Sequence, residues 1–153
     1  MILVTNGAIS TMMTTKQYLL QIKYLENSIR RKRDQLDTIR SEMSMLKSPA
    51  YTSEKVQASK MDDKMLQLII LYSDIEARLT EEVSNLLVIR EKIINQIEAL
   101  DNDKHREVLY LVYVKHLSWD DVAQSMCYSR RRVEQIHGMA LLEFEKRFRS
   151  ISQ

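Results

Sequence analysis

The chain has 153 residues, a formal net charge of +2, two glycines, one proline and one cysteine. That length suits one globular domain, or a small domain with an extension. So few turn residues beside abundant Leu, Ile, Met, Glu, Lys, Arg and Gln favour a largely helical protein. The lone Cys127 excludes an intrachain disulfide and fits a reducing cytosol. No segment reaches the ~18 apolar residues of a membrane-spanning helix, so no membrane partner is expected. The net charge conceals three blocks. Residues 14–60 hold 10 Lys+Arg against 5 Asp+Glu, residues 61–100 hold 4 against 8, and residues 126–153 hold 6 against 3. A basic segment, an acidic segment and a basic end follow one another.

The opening M-I-L-V-T-N-G-A-I-S lacks the basic start of a signal peptide, and residues 1–13 read as a flexible N-terminus. Met12 or Met13 is an equally good start for the patterned part. From Tyr18, the positions Tyr18, Ile22, Leu25, Ile29, Lys32, Leu36, Ile39, Met43 and Leu46 step by fours and threes. This is a heptad seam with one polar member, Lys32, and it predicts a helix over about 15–46, some 48 Å long. Around Pro49, periodicity fails over 47–60, which reads as a linker. A second seam runs from Met61 through Leu68, Tyr72, Ile75, Leu79 and Ile93 to Leu100, with polar slips at Glu82 and Gln96. Two long amphipathic helices of opposite charge joined this way predict an antiparallel hairpin over 14–100. A centred fold-back would not bring Lys32 and Glu82 together. A two-helix hairpin buries only one stripe per helix, so this region is expected to form a homo-oligomer, a dimer or tetramer, or to hold a partner. The R-R-K-R at 30–33 points several ways round a helix and reads as a solvated face complementing the acidic second helix.

Residues 101–153 read as a separate domain. Asp101-Asn102-Asp103 offers cap side chains for a helix over about 103–116 that buries Val108, Leu109, Leu111 and Val112. Ser118-Trp119-Asp120-Asp121 opens another with a capping-box pattern, and Val122, Ala123 and Met126 mark its inner face. Cys127-Tyr128 forms the break and Ser129 caps the last helix. The spacing is that of a helix-turn-helix. Ala123 lets the second helix cross closely, a compact turn comes four residues later, and Val133 and Ile136 follow at six and nine beyond it. Cys127 stands where the turn asks for a positive φ and glycine is usual. Arg130, Arg131 and Arg132 then occupy a first helical turn, where the helix dipole favours anions and each cation costs up to about 1 kcal/mol. A bound polyanion would offset that cost; the alternative is a solvated helix start with no ligand.

At 100° per residue, Val133, Ile136, Ala140, Leu141, Phe144 and Phe148 share one side of this helix. Arg131, Gln135, Gly138, Met139 and Leu142 lie opposite, with Arg132 and Glu134 on the flanks. An outward arginine can pair with guanine O6/N7 and an outward glutamine with adenine N6/N7. Arg130 and Arg132 suit bases or phosphates, and Gly138 permits close backbone approach. Glu134 either accepts from cytosine N4 or balances charge along the helix. Lys146, Arg147 and Arg149 read as phosphate contacts or a solvated tail. Trp119 reads as packed at the start of its helix. His105, His116 and His137 have no metal-ligand spacing and read as packing or surface residues, and Cys127 has no base beside it. No metal, cofactor or enzymatic activity is expected.

The string R-E-V-L-Y-L-V-Y-V-K-H-L-S-W-D-D-V-A-Q-S-M-C-Y-S-R-R-R-V-E-Q-I-H-G-M-A-L (106–141) resembles region 4 of bacterial RNA polymerase sigma factors. Its end is similar to the recognition helix that reads the −35 promoter element. The whole chain, with its long helices, the S-P-A-Y linker and D-K-M at 63–65, looks like sigma-like regulators encoded by phages of Gram-positive bacteria, related to ArpU/RinA-type activators of late genes. That resemblance implies a recognition helix over about 129–144 in the major groove, with Arg130, Arg131, Glu134 and Gln135 at base-reading positions. Arg130 and Gln135 keep the residue types of housekeeping sigma factors, while Arg131 and Glu134 reverse the expected charges, which implies a different promoter sequence. Sigma regions 2 and 3 are absent, which implies no melting of DNA at −10.

The expectation is therefore an all-α protein, a long helical hairpin followed by a sigma-region-4-like domain. It would bind double-stranded DNA in the bacterial cytoplasm and regulate transcription, with host RNA polymerase as a second partner. Two alternatives use the same parts: a DNA-packaging adaptor like a small terminase subunit, and an interaction protein that grips polymerase instead of DNA.

Overall fold

The computed structural model describes residues 13–47 and 55–149, with side chains placed at 13–47 and 62–148. The expectations for residues 1–12, for Pro49 and its neighbours, and for the Arg149 side chain lie outside these residues. Every regular element among the described residues is helical, so the fold is all-α. In chain order they are α1 (Thr15–Leu19), α2 (Gln21–Leu46), α3 (Lys55–Glu98), α4 (Asp103–Leu109) with a π turn at Tyr110–Val114, α5 (Trp119–Ser125) and α6 (Arg130–Arg149). The chain divides into two compact units, one formed by Leu25–Asn85 and the other by Met1–Tyr24 with Leu86–Gln153.

Within Leu25–Asn85, α2 and α3 run antiparallel. Lys32 Nζ lies 2.7 Å from Glu82 Oε1, and Arg40 Nη2 donates to Tyr72 Oη at 2.8 Å. Eight residues forward along α2 thus meet ten residues back along α3. Ile39, Leu46 and Leu68 are buried between them, with Met43, Met65, Tyr72 and Ile75 packed alongside. Two expectations are corrected here. The second helix starts at Lys55, inside the segment read as a linker. Lys32 and Glu82 do pair, and the hydrogen bond from Lys32 holds the Glu82 carboxyl below its ordinary range. The midpoint of that pair falls at residue 57, already within α3, so the fold-back is not centred on the connection. Placing opposite charges at two seam positions favours this register over a slipped one.

The other unit begins with a capping box. Thr14 Oγ1 accepts from Gln17 N, and the Gln17 side chain accepts from Thr14 N. The seam expected as one helix is interrupted at Leu20, so α1 and α2 are separate. The break lets α1 lay Tyr18 and Leu19 into a core shared with Ile22, Ile93, Ile97 and Leu100. Val133, Ile136, Ala140 and Phe144 of α6 are buried in that same core. The expected domain boundary at 100/101 is therefore displaced, because the end of α3 packs with the C-terminal helices.

Asn102 caps α4, its side chain accepting from Lys104 N at 2.9 Å. The helix expected to run to 116 changes to a π turn at Tyr110, closed by Lys115 N donating to Tyr110 O at 3.0 Å. The wider turn shifts the helix phase by one residue. Tyr113 and Val114 therefore join Val108 and Leu109 in the core, while the expected Leu111 and Val112 are only half-buried. His116, at φ 55°, ends the element. Ser118 then caps α5, accepting from Asp121 N and donating to Asp121 Oδ2 at 2.6 Å.

Between α5 and α6 the expected burial and the positive φ at Cys127 are present. Val122, Ala123 and Met126 are buried, and Tyr128 N donates back to Ala123 O at 3.0 Å. Cys127 adopts φ 55°, a left-handed conformation that strains any residue bearing a Cβ. Cys127→Gly is expected to raise stability by about 1 kcal/mol, read as a shift of the urea midpoint at unchanged slope. A lower midpoint would contradict the strained conformation.

Candidate nucleic-acid interface

Ser129 caps α6: its Oγ accepts from Arg132 N at 3.3 Å and its carbonyl from Val133 N at 3.0 Å. Four positions lock the inner side of the helix. Val133, Ile136, Ala140 and Phe144 are each no more than 2% exposed. With that side fixed, Arg131, Gln135, Gly138, Met139 and Leu142 are all exposed on the other.

The three arginines have different surroundings. Arg130 is held by two carboxylates, with Nε 3.1 Å from Glu134 Oε1 and Nη1 3.4 Å from Asp120 Oδ1. Arg132 Nη1 donates to Gln135 Oε1 at 3.3 Å. Arg131 has neither hydrogen bond nor ion pair among the described residues. Neighbouring acids thus relieve Arg130 of its unfavourable place in the first turn, and no acid among the described residues relieves Arg131. Glu134, read above as either a cytosine acceptor or a charge balance, is engaged as the partner of Arg130. Gln135 accepts one bond from Arg132, which leaves a second lone pair and both amide hydrogens for a base edge.

Lys146 is exposed and lies eleven residues after Gln135, which places it within about 20° of the same side of α6. Arg147 does not join the set. It stands about 160° round the helix from Arg131, and its Nη1 lies 2.9 Å from Asp101 Oδ1 at the α3–α4 corner. Beside it, Glu143 takes Asp101 N at 2.9 Å and the ring of His105. Burial alone would raise the Glu143 carboxyl, but His105 and the Asp101 N–H bring it below its ordinary range. This corner anchors α6 to the start of α4.

A second anchor lies at His137, which the sequence leaves between a packing and a surface role. His137 is buried on the inner side of α6, with Nε2 3.0 Å from Tyr113 Oη and its ring edge-on to Trp119 at 5.0 Å. Burial, and then the field of Lys16, lowers the His137 pKa, while burial pushes Tyr113 up to about 12. Both groups are therefore neutral near pH 7, and the pair adds no buried charge beneath the exposed face. The signal was available: at 100° per residue His137 falls between Phe144 and Phe148 on the buried stripe. Trp119, half-buried against His137, has the packing role expected of it.

Gly138 sits in mid-helix, where glycine costs about 1 kcal/mol relative to alanine. A Cβ added there would meet no atom within 4 Å. Packing inside the chain therefore does not require this glycine. Around it, Arg132, Gln135, Met139, Leu142 and Glu145 line an open depression of about 660 Å³.

A family model described as "Protein of unknown function (DUF1492)" matches residues 45–145, two thirds of the chain. The chain belongs to the DUF1492 family. The matched stretch takes in α3 to α5 and α6 as far as Glu145, and so includes both the cap of α6 and its exposed face. No curated protein and no solved structure matches this DUF1492 chain. Among the described residues, no helix is long and apolar enough to cross a membrane.

Proposed function

We propose that this chain is a sequence-specific double-stranded DNA-binding regulator of transcription that uses α6 as a recognition helix in the major groove. The observation that carries the reading is Arg131. It is an exposed cation in the first turn of a capped helix, without a partner among the described residues, on the same side as Gln135. A bare first turn is better served by acids, so an unpaired arginine there is best explained by an anionic ligand. Arg131 suits guanine, Gln135 suits adenine, and Arg132 with Lys146 suits the flanking phosphates. The resemblance to sigma region 4 adds the −35 region of a promoter as the kind of site, phage late genes as the setting and host RNA polymerase as a second partner.

The hairpin is where copies of the chain would associate. Leu66, Ile69 and Ile70 of α3 remain exposed, so one fold-back does not cover the apolar surface of that helix.

Selection of bound sequences from random duplex DNA tests the reading. The expected product is a defined motif that carries the guanine and adenine met by Arg131 and Gln135. Affinity for it should fall steeply with salt, with a log–log slope of about −0.9 per phosphate neutralised. Failure to enrich any motif, or a flat salt response, would overturn it.

A further inference from the structure

Beyond Arg131 and Gln135 the exposed face changes chemistry. The run Gly138-Met139-Ala140-Leu141-Leu142 carries no charge, and only Ala140 of these five is fully buried. Met139 is 44% exposed and Leu142 68% exposed, on the side opposite the core. A helix that is apolar on both sides over more than one turn is normally covered on both. Arg132 and Glu145 share the depression with Met139 and Leu142, but the apolar tips of the latter two side chains offer nothing to a phosphate. The surface also has room, because Gly138 gives up about 1 kcal/mol of helix stability while facing open space. Its neighbour along the helix is the unpaired Arg131, whose charge calls for a polyanion. The occupant therefore has to be apolar where it meets Met139 and anionic overall.

Resting on the reading of α6 as a major-groove helix, we propose that Met139, with Leu142 behind it, packs against the 5-methyl groups of thymines. The methyl is the apolar group that a base pair shows in the major groove. Eight residues separate Arg131 from Met139, about 12 Å of helix, which corresponds to three or four base-pair steps. The ligand is thus a duplex in which thymine lies about three or four base pairs from the guanine met by Arg131. Gly138 keeps the backbone low enough for the Met139 thioether to reach the groove floor. Leu142, a further turn along, covers the outer edge of the same step.

The test compares the selected duplex with one in which every thymine is replaced by deoxyuridine, using the full-length chain. Wild type is expected to bind the uracil duplex about fourfold more weakly for each methyl buried. Met139→Ala should bind the thymine duplex more weakly by a similar factor and no longer discriminate between the two. Met139→Leu should retain the discrimination. Met139 is exposed, so these variants leave the core untouched. Equal wild-type affinity for the two duplexes, with Arg131→Ala still weakening both, would overturn the methyl contact. A wild-type chain that binds neither duplex, or binds both independently of Arg131, would overturn the major-groove reading itself.

Discussion

Phe144→Ala is expected to cost the folded state about 3–5 kcal/mol. Phe144 is fully buried, tilted against Tyr18 at 6.2 Å and Phe148 at 4.7 Å between ring centroids, so truncation leaves a cavity between α1 and α6. Its surroundings are held from several elements, which limits how far the site can collapse around the void. The control lies two residues earlier on the same helix. Leu142, also large and apolar, is 68% exposed, and its replacement by alanine should change stability by no more than about 0.5 kcal/mol. Urea unfolding of the two variants measures the contrast. Equal losses would mean that α6 does not present the side assigned here to the core.

The second large effect is on binding. Arg131→Ala should weaken the complex with the selected duplex by about 1–3 kcal/mol, roughly 5- to 150-fold, and relax the preference at one base pair. Stability should hold or rise slightly, since the variant removes a cation from the first turn of α6. Arg147→Ala removes the same charge from the same helix, but at a position paired with Asp101 and facing away. It should leave the sequence preference unchanged. Titration of labelled duplexes bearing each base at the affected position separates the two variants. A loss shared equally by all sequences would make Arg131 a phosphate contact.

What was legible in the sequence was what short-range geometry decides. Ser129 as a cap, positive φ at Cys127 and burial of Val133 and Ile136 each depend on residues within one or two helical turns. The helical stripe of α6 also separated Arg131 from the core without knowledge of any other element. The misses required information from further away. Lys32 meets Glu82 because α3 begins at Lys55, and helix content within a polar Ser/Thr-rich stretch leaves no apolar period to read. The π turn at Tyr110 slipped the buried set from Leu111 and Val112 to Tyr113 and Val114, a one-residue insertion that the 3.6-residue period conceals. Arg147 looked like a basic tail until the α3–α4 corner placed Asp101 beside it, 46 residues away in sequence. The domain boundary moved for the same reason: only tertiary packing reveals that Tyr18, Ile97 and Phe144 share one core.

These placements also separate the roles along α6. Glu143 and His137 fix the helix to α4 and to the π turn, Val133 to Phe144 fill its inner side, and Arg130 is neutralised locally by Glu134 and Asp120. Arg131, Gln135, Gly138 and Met139 remain on a rigid helix with their outer sides uncovered. Rigid support of an exposed polar set is what recognition of a base edge requires, because an ordered side chain loses less entropy on binding.

The most direct test of this account is the affinity of the full-length chain for its selected duplex, measured for wild type and for Arg131→Ala with Gln135→Ala combined. Base reading by α6 predicts a loss of at least tenfold on that duplex and near-equal binding of the double variant to selected and scrambled DNA. Wild-type affinity and preference retained in the double variant would contradict it.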